Sequence, residues 1–307
     1  MSEATLEVGA VQRGSERVRT QLQRVLPKLV LAPSFAAILI FVYGFILWTL
    51  YLSLTRSRLL PVYDLTGFDA YRRLWSHPNW HMALQNVGIF GGLYIGLGIG
   101  IGLLLAILID QKIRGEGVLR PIYLYPMALS FIVTGTAWQW FLNPGLGLEK
   151  AMKAWGWESF TFDWLINPQM AIYTVVIAGL WQVSGFVMAM FLAGLRSIDG
   201  EILKAAQVDG ATTVATYRRI VIPILRPVFF SAFVVLAHMA IKSYDLVIAL
   251  TGGGPGRATE LPATFMYSFT FTRSEMAVGS ASAIMMLMAV CAIIVPYLYS
   301  ELREKPQ

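Results

Sequence analysis

The sequence predicts an all-α polytopic membrane protein with about six transmembrane helices. Three observations predict it. Of the 307 residues, 56% are hydrophobic and only 14% are charged, whereas a soluble domain carries about 25% charge. The apolar residues gather in runs of roughly 20, the length that crosses a hydrocarbon core of about 30 Å. Lys and Arg also concentrate in alternate connecting segments, the asymmetry that orients membrane proteins. The formal charge of +6 is therefore read through the membrane rather than as a sign of nucleic-acid binding. The one cysteine, Cys291, lies inside the last apolar run, with no metal-ligand spacing around it.

Residues 1–28 form a polar, basic segment with Arg13, Arg17, Arg19, Arg24 and Lys28. The apolar run that follows is too long for a signal-peptide core and lacks a small-residue cleavage site, so it reads as a retained first span. Six spans are expected at about 29–54, 86–110, 119–142, 170–195, 226–250 and 276–299, giving a membrane domain over 29–300. The second is bounded by Asn86 and Asp110 and carries Gly88, Gly92, Gly96 and Gly100 on one face, where another helix backbone can approach. That partner is a helix of this chain or of a second subunit. The third follows Pro121 and stops near Asn143-Pro144-Gly145; its "WQWFLN" end, Trp138 to Asn143, reads as an interfacial belt or a platform for a sugar. Trp155, Trp157 and Trp164 lie in the next loop, suited to the membrane surface or a binding protein. The fifth ends at "TGGGPG", residues 251–256, which no helix continues through.

With the N-terminus inside, the inner segments hold Arg13 to Lys28, Lys112, Arg114 and Arg120, Arg196 to Arg226, and Arg303 and Lys305. The outer loops hold fewer basic residues, although Arg56, Arg58, Arg72 and Arg73 crowd the first of them. The balance favours N-in and C-in. It places the loop 196–227 in the cytoplasm.

That loop is neither short nor rich in Gly, Ser and Pro. Asp199 is a natural N-cap, with Glu201 in the first turn, where negative charge suits the helix dipole. Ile202, Ala205, Ala206 and Asp209 follow on one small-residue face. Asp209-Gly210 reads as a turn. Thr212 or Thr213 caps a second helix over 213–222, which Pro223 ends. Two short helices at an angle form a knob suited to a partner's groove.

Ala205-Ala206-x-x-Asp209-Gly210-Ala211, followed by Ile220-x-Ile222-Pro223, resembles the EAA loop of ABC importer permeases that work with a solute-binding protein. Lys204 stands where that motif has its Glu. "YDLVIALTGGGPGRATE" after the fifth span is similar to the sugar branch, the maltose permease F-type and glycerol-phosphate permease A-type subunits, and its wording looks most like permeases for glucose or mannose. The resemblance implies the type I importer permease fold in a bacterial or archaeal cytoplasmic membrane. It implies a second permease subunit, two ATPase subunits and a periplasmic or lipid-anchored solute-binding protein as partners, with membrane lipid around them. Glu201, Lys204, Ala205, Ala206, Asp209, Gly210, Ala211 and Pro223 would couple to the ATPase. No G-x-x-x-x-G-K-[ST] occurs in the chain, so ATP and Mg are expected on the partner ATPase and no cofactor in this chain.

Intramembrane polar residues are functional candidates. The fifth span carries His238, Lys242, Ser243, Tyr244 and Asp245, with Lys242 and Asp245 spaced to pair on one helix face. By the resemblance, Gln182, Phe186, Met239 and Ser243 fall at the depth of the sugar in the maltose permease, with Lys242, Tyr244 and Asp245 on the same path. Aromatic faces with amide and hydroxyl groups suit a neutral polyol. A different sugar, another polyol or a glycerol-phosphate-type substrate is the alternative within the family. A self-contained secondary transporter leaves the cytoplasmic knob unexplained, and no nucleophile elbow, HExxH or carboxylate cluster points to an enzyme.

Overall fold

The computed structural model describes residues 28, 30–111 and 115–303. Apart from Lys28, the basic segment expected over 1–28 lies outside the described residues, as do Lys112 and Arg114. The chain divides into two units, 1–51 and 52–307. The first unit contains most of α1 (Val30–Ser53), an apolar helix long enough to cross a membrane.

The second unit is helical, with one antiparallel bridge, Thr55–Leu65, in its first loop. After α2 (Asp69–Trp75) comes α3 (Pro78–Asp110). Its start lies eight residues before the expected span, because its first turns are polar and fall below an apolar scan. His77 caps it: Nδ1 accepts from the Asn79 amide at 3.2 Å, and Pro78 occupies the first helical position. At 33 residues α3 is about 50 Å long and projects beyond a hydrocarbon core.

The third expected span is two helices, α4 (Glu116–Ala128) and α5 (Phe131–Phe141), bent by 101°. Leu129 is extended, and Ser130 caps α5 by accepting from the Val133 amide. The run of apolar residues hid a break that Pro126 and a capping serine set up. A short helix, α6 (Leu148–Ala154), precedes α7 (Ala171–Arg196), the most enclosed of the long helices. Next come α8 (Gly200–Val208), α9 (Thr213–Ile224) and α10 (Arg226–Ile241), the last two meeting at 65°. The second half of the fifth expected span is a separate helix, α11 (Asp245–Thr251), so residues 242–244 interrupt it. α12 (Pro262–Tyr267), a π-helical turn (Ser268–Thr272) and α13 (Met276–Arg303) complete the chain. Among the described residues four helices are long and apolar enough to cross a membrane, or up to six if each bent pair is one span.

Lipid offers no hydrophobic drive between helices, so close approach of small residues does the work. A Cβ at Gly98 would sit 3.3 Å from the Leu236 side chain, one at Gly102 would collide with Val187, and Gly91 faces Ala240. These three bring α3 against α7 and α10. The expected stripe is different: at Gly88, Gly92, Gly96 and Gly100 nothing lies within 4 Å of an added Cβ. Gly185 lets α7 lie directly on the Tyr123 carbonyl of α4, and Gly135 lets α5 lie on Leu246 and Ala249 of α11. The main core runs from Phe90 and Tyr94 through Val183, Met188 and Phe191 to Leu236 and Leu246. A smaller one, at the end of α3 away from α8 and α9, joins Leu74, Trp80, Phe265, Phe269 and Ala281.

Candidate functional site

Two places hold most of the residues expected to carry function. The first is the interruption at 242–244. α10 spans 16 residues, so the break lies about 24 Å along the helix from Arg226. Irregular backbone at membrane depth persists only where it is buried or lines a cavity. Here it lines one: about 140 Å³, walled by Met239, Lys242, Ser243, Tyr244, Asp245 and Leu246 on one side and by Phe90, Tyr94 and Phe131 on the other. Phe90 and Tyr94 stack at 5.1 Å. Tyr244 leans on Tyr267 at 4.8 Å.

Five of the seven residues read as the substrate path thus come together. The other two do not join them. Gln182 is 1% exposed and donates from Nε2 to the Leu129 carbonyl at 2.8 Å, at the α4–α5 break. Phe186 is half-buried against the main core. The one-face pairing of Lys242 and Asp245 required a continuous helix, and the break between α10 and α11 removes it. Phe90, Tyr94 and Phe131 were not read as site residues. For Phe90 and Tyr94 the signal is an aromatic pair four apart, one turn after Asn86.

The second place is the α8–α9 pair. Asp199 accepts from the Glu201 amide at 2.9 Å, and Thr212 from the Ala215 amide at 3.3 Å, so both expected caps are present. Lys204 pairs with Glu201 at 2.9 Å. Gly210 adopts φ +75, where a side chain is strained. Pro223 does not end the second helix. A π-helical turn over Tyr217–Val221 shifts the hydrogen bonding so that Pro223 falls in the last turn, and the chain bends after Ile224. The small-residue face is also divided: Ala205 is exposed, but Ala206 is buried and its carbonyl accepts from the Ala211 amide. The most exposed apolar residues of the pair are Val208, at 87%, and Val214, at 76%, with Ile202 of the expected face also exposed.

Behind this pair lies a groove of about 260 Å³ lined by Asp110, Gln111, Leu203, Gln207, Thr216 and Tyr217 among others. Gln111 donates to the Tyr217 hydroxyl at 3.3 Å. Burial, then the Asp110 charge, pushes the Tyr217 phenol up from its usual range. Arg196, at the end of α7, bridges Glu116 at 2.6 Å and Asp110 at 3.6 Å. α3, α4 and α7 are thus tied together where α8 begins.

The model of the family described as binding-protein-dependent transport system inner membrane component matches residues 98–303. A probable ABC transporter permease of Pyrococcus horikoshii is 40% identical, over 88% of this chain and 94% of its own length. A xylose/arabinose import permease of Haloferax volcanii is 35% identical, over 80% of this chain and 77% of its own. A crystal structure of a bacterial ABC transporter involved in the import of the acidic polysaccharide alginate superposes with a TM-score of 0.80, at 20% identity, over 94% of this chain and all of that one. That likeness establishes the fold, and the family model covers the α8–α9 pair and the 239–246 wall of the cavity, while Phe90 and Tyr94 precede the matched stretch. The chain belongs to the binding-protein-dependent transport system inner membrane components, the permeases of ABC importers.

Proposed function

We propose that the chain is one permease subunit of an ATP-driven importer for a neutral monosaccharide such as glucose or mannose, in a bacterial or archaeal cytoplasmic membrane. A second permease, two ATPase subunits and a solute-binding protein complete the machine. The observation that carries this reading is the interrupted helix at 242–244 with its aromatic opposite wall. A helix end offers carbonyls and a helix start offers amides. Between them Ser243 and Tyr244 both donate and accept. Phe90, Tyr94 and Phe131 supply ring faces for the C–H side of a sugar. Lys242 and Asp245 together add no net charge, which favours a neutral cargo over an anionic one. The monosaccharide assignment is supported by the small cavity, by the wording around Lys242–Gly256 and by the two pentoses named for the Haloferax relative.

The α8–α9 pair is the coupling element. Its exposed Ala205, Val208 and Val214 form the apolar contact, and Glu201, Lys204 and Asp209 the polar rim, while Ala206, Gly210, Ala211 and Pro223 set its shape. Motion of the ATPases reaches the cavity through α10, which leads from α9 to the break.

The test is uptake by the reconstituted transporter with a panel of labelled glucose, mannose, xylose and glycerol 3-phosphate. Ser243→Ala and Tyr244→Phe each remove a hydrogen bond worth about 0.5–1.5 kcal/mol, so apparent affinity falls up to about tenfold and the ranking of sugars changes. Wild-type rates and affinities for every compound, in both variants, place the route elsewhere.

A further inference from the structure

We propose that Asn86 is a positioning residue that holds the two walls of the cavity together from the end opposite α8 and α9. The proposal rests on the reading of that cavity as the sugar route.

Asn86 lies near the start of α3, about 36 Å along the helix from Asp110. It is 8% exposed, a polar side chain inside an apolar helix bundle. Both its amide hydrogens are committed: Nδ2 donates to the Ala258 carbonyl at 2.9 Å and to the Glu260 carbonyl at 3.0 Å. The segment it grips is a folded unit rather than a slack connector. Gly252, Gly253, Gly254 and Gly256 all take positive φ, as does Arg257. The Thr259 amide donates to the Gly253 carbonyl at 3.0 Å, and the Thr251 and Thr259 hydroxyls share a hydrogen bond of 2.6 Å. Arg257 pairs with the Glu260 carboxylate at 3.0 Å, and that side chain is only 5% exposed.

Two connections run from this unit to the cavity. On α3, Asn86, Phe90 and Tyr94 are spaced four apart, so they lie on one face, and the last two are cavity wall. On the other side the unit continues α11 directly, joined at Thr251, and α11 begins with Asp245 and Leu246, which are the facing wall. The wall on α3, Asn86, the glycine-rich unit and α11 therefore close a ring of rigid links around the cavity. Asn86 is the link that spans between helices. Without its two donors the walls are free to part at this end, and the cavity opens to water.

The cavity itself reports this. In the reconstituted transporter, carrying Ser243→Cys with Cys291→Ala, the rate of reaction with a membrane-impermeant maleimide measures access. Asn86→Asp and Asn86→Leu keep the approximate size of the side chain; Leu removes both donors and Asp leaves at most one. Each is expected to raise the labelling rate at least fivefold. Asn86→Gln, which retains two donors, should come back to within twofold of the parent, a rescue that a general loss of packing would not give. Thr259→Val breaks the link at the α11 end without touching α3, and should raise the rate by at least twofold. Unchanged labelling in Asn86→Asp and Asn86→Leu overturns the proposal. If those two fail to reach the membrane, unchanged labelling in Thr259→Val overturns it instead. Labelling needs no transported sugar, so a cavity unrelated to the sugar would show in the uptake panel and leave this result standing.

Discussion

His77 has two jobs at one atom. Its Nδ1 accepts the Asn79 amide and so caps α3, and its ring lies edge-on to Phe269 at 4.9 Å and Phe265 at 5.8 Å. Burial among these rings, then the charge of Arg273, holds its pKa below the usual 6.5. The unfolded chain therefore binds a proton that the folded one resists. The cap's contribution is fully present above pH 6.5 and is lost as pH falls through 6.5 and then through the lower folded value. Thermal unfolding of the purified protein is expected at lower temperature at pH 5.5 than at pH 7.5. In His77→Ser, which caps without titrating, that difference should shrink; an identical pH dependence in the variant would assign it to another group. None of this was legible in the sequence. A histidine before a proline signals a cap only once the helix start is known, and the polar first turns of α3 concealed that start. Asn86 was seen only as a span boundary, because its partners lie more than 170 residues away.

At the scale of elements, the α8–α9 pair was the most legible feature, since its signals are local: Asp199, Thr212 and Gly210 each act within four residues. What stayed hidden was which alanine faces out, because that depends on how α8 lies over Ala211. The consequence is testable. Val208→Asp puts a charge on the exposed apolar patch. It should weaken binding of the ATPase subunit at least tenfold while leaving membrane insertion and thermal stability unchanged. Ala206→Leu acts in reverse, crowding a buried site at a cost of about 1–3 kcal/mol, so it lowers stability first. Gly210→Val meets a left-handed backbone and costs about 1–2 kcal/mol, and coupling should fall with it. Pull-down of the ATPase alongside unfolding curves separates the cases. Equal ATPase binding by Val208→Asp and wild type removes the patch from the interface. The broken helices were the least legible. Apolar composition reads the same whether a run is one helix or two; the first break is set locally by Pro126 and the Ser130 cap, and at the second Tyr244 leans on Tyr267 of α12.

At the scale of the molecule, the chain is a part. It has no P-loop of its own. The glycines of α3 divide its tasks: Gly91, Gly98 and Gly102 hold the fold together, and Gly88, Gly92, Gly96 and Gly100 are left open. The purified chain alone is therefore expected to show no ATP-dependent uptake in proteoliposomes. Uptake should appear only when the second permease, the ATPase and the solute-binding protein are added. ATP-driven transport by the single chain would end the subunit reading.

The bond from Gln182 to Leu129 also bears on how the chain is made. α4 and α5 have 13 and 11 residues, each short of the roughly 20 needed to cross lipid. They emerge from the ribosome well before Gln182, which covers the Leu129 carbonyl at their junction, and Gly185, which lies on Tyr123 of α4. A bare carbonyl at that junction is costly in hydrocarbon. The half-span should therefore wait at the edge of the insertion machinery until α7 arrives, and settle with it as a pair. Nascent chains carrying Leu129→Cys and halted after residue 170 should leave that thiol open to a water-soluble maleimide, and chains halted after residue 240 should protect it. Gln182→Leu should delay that protection.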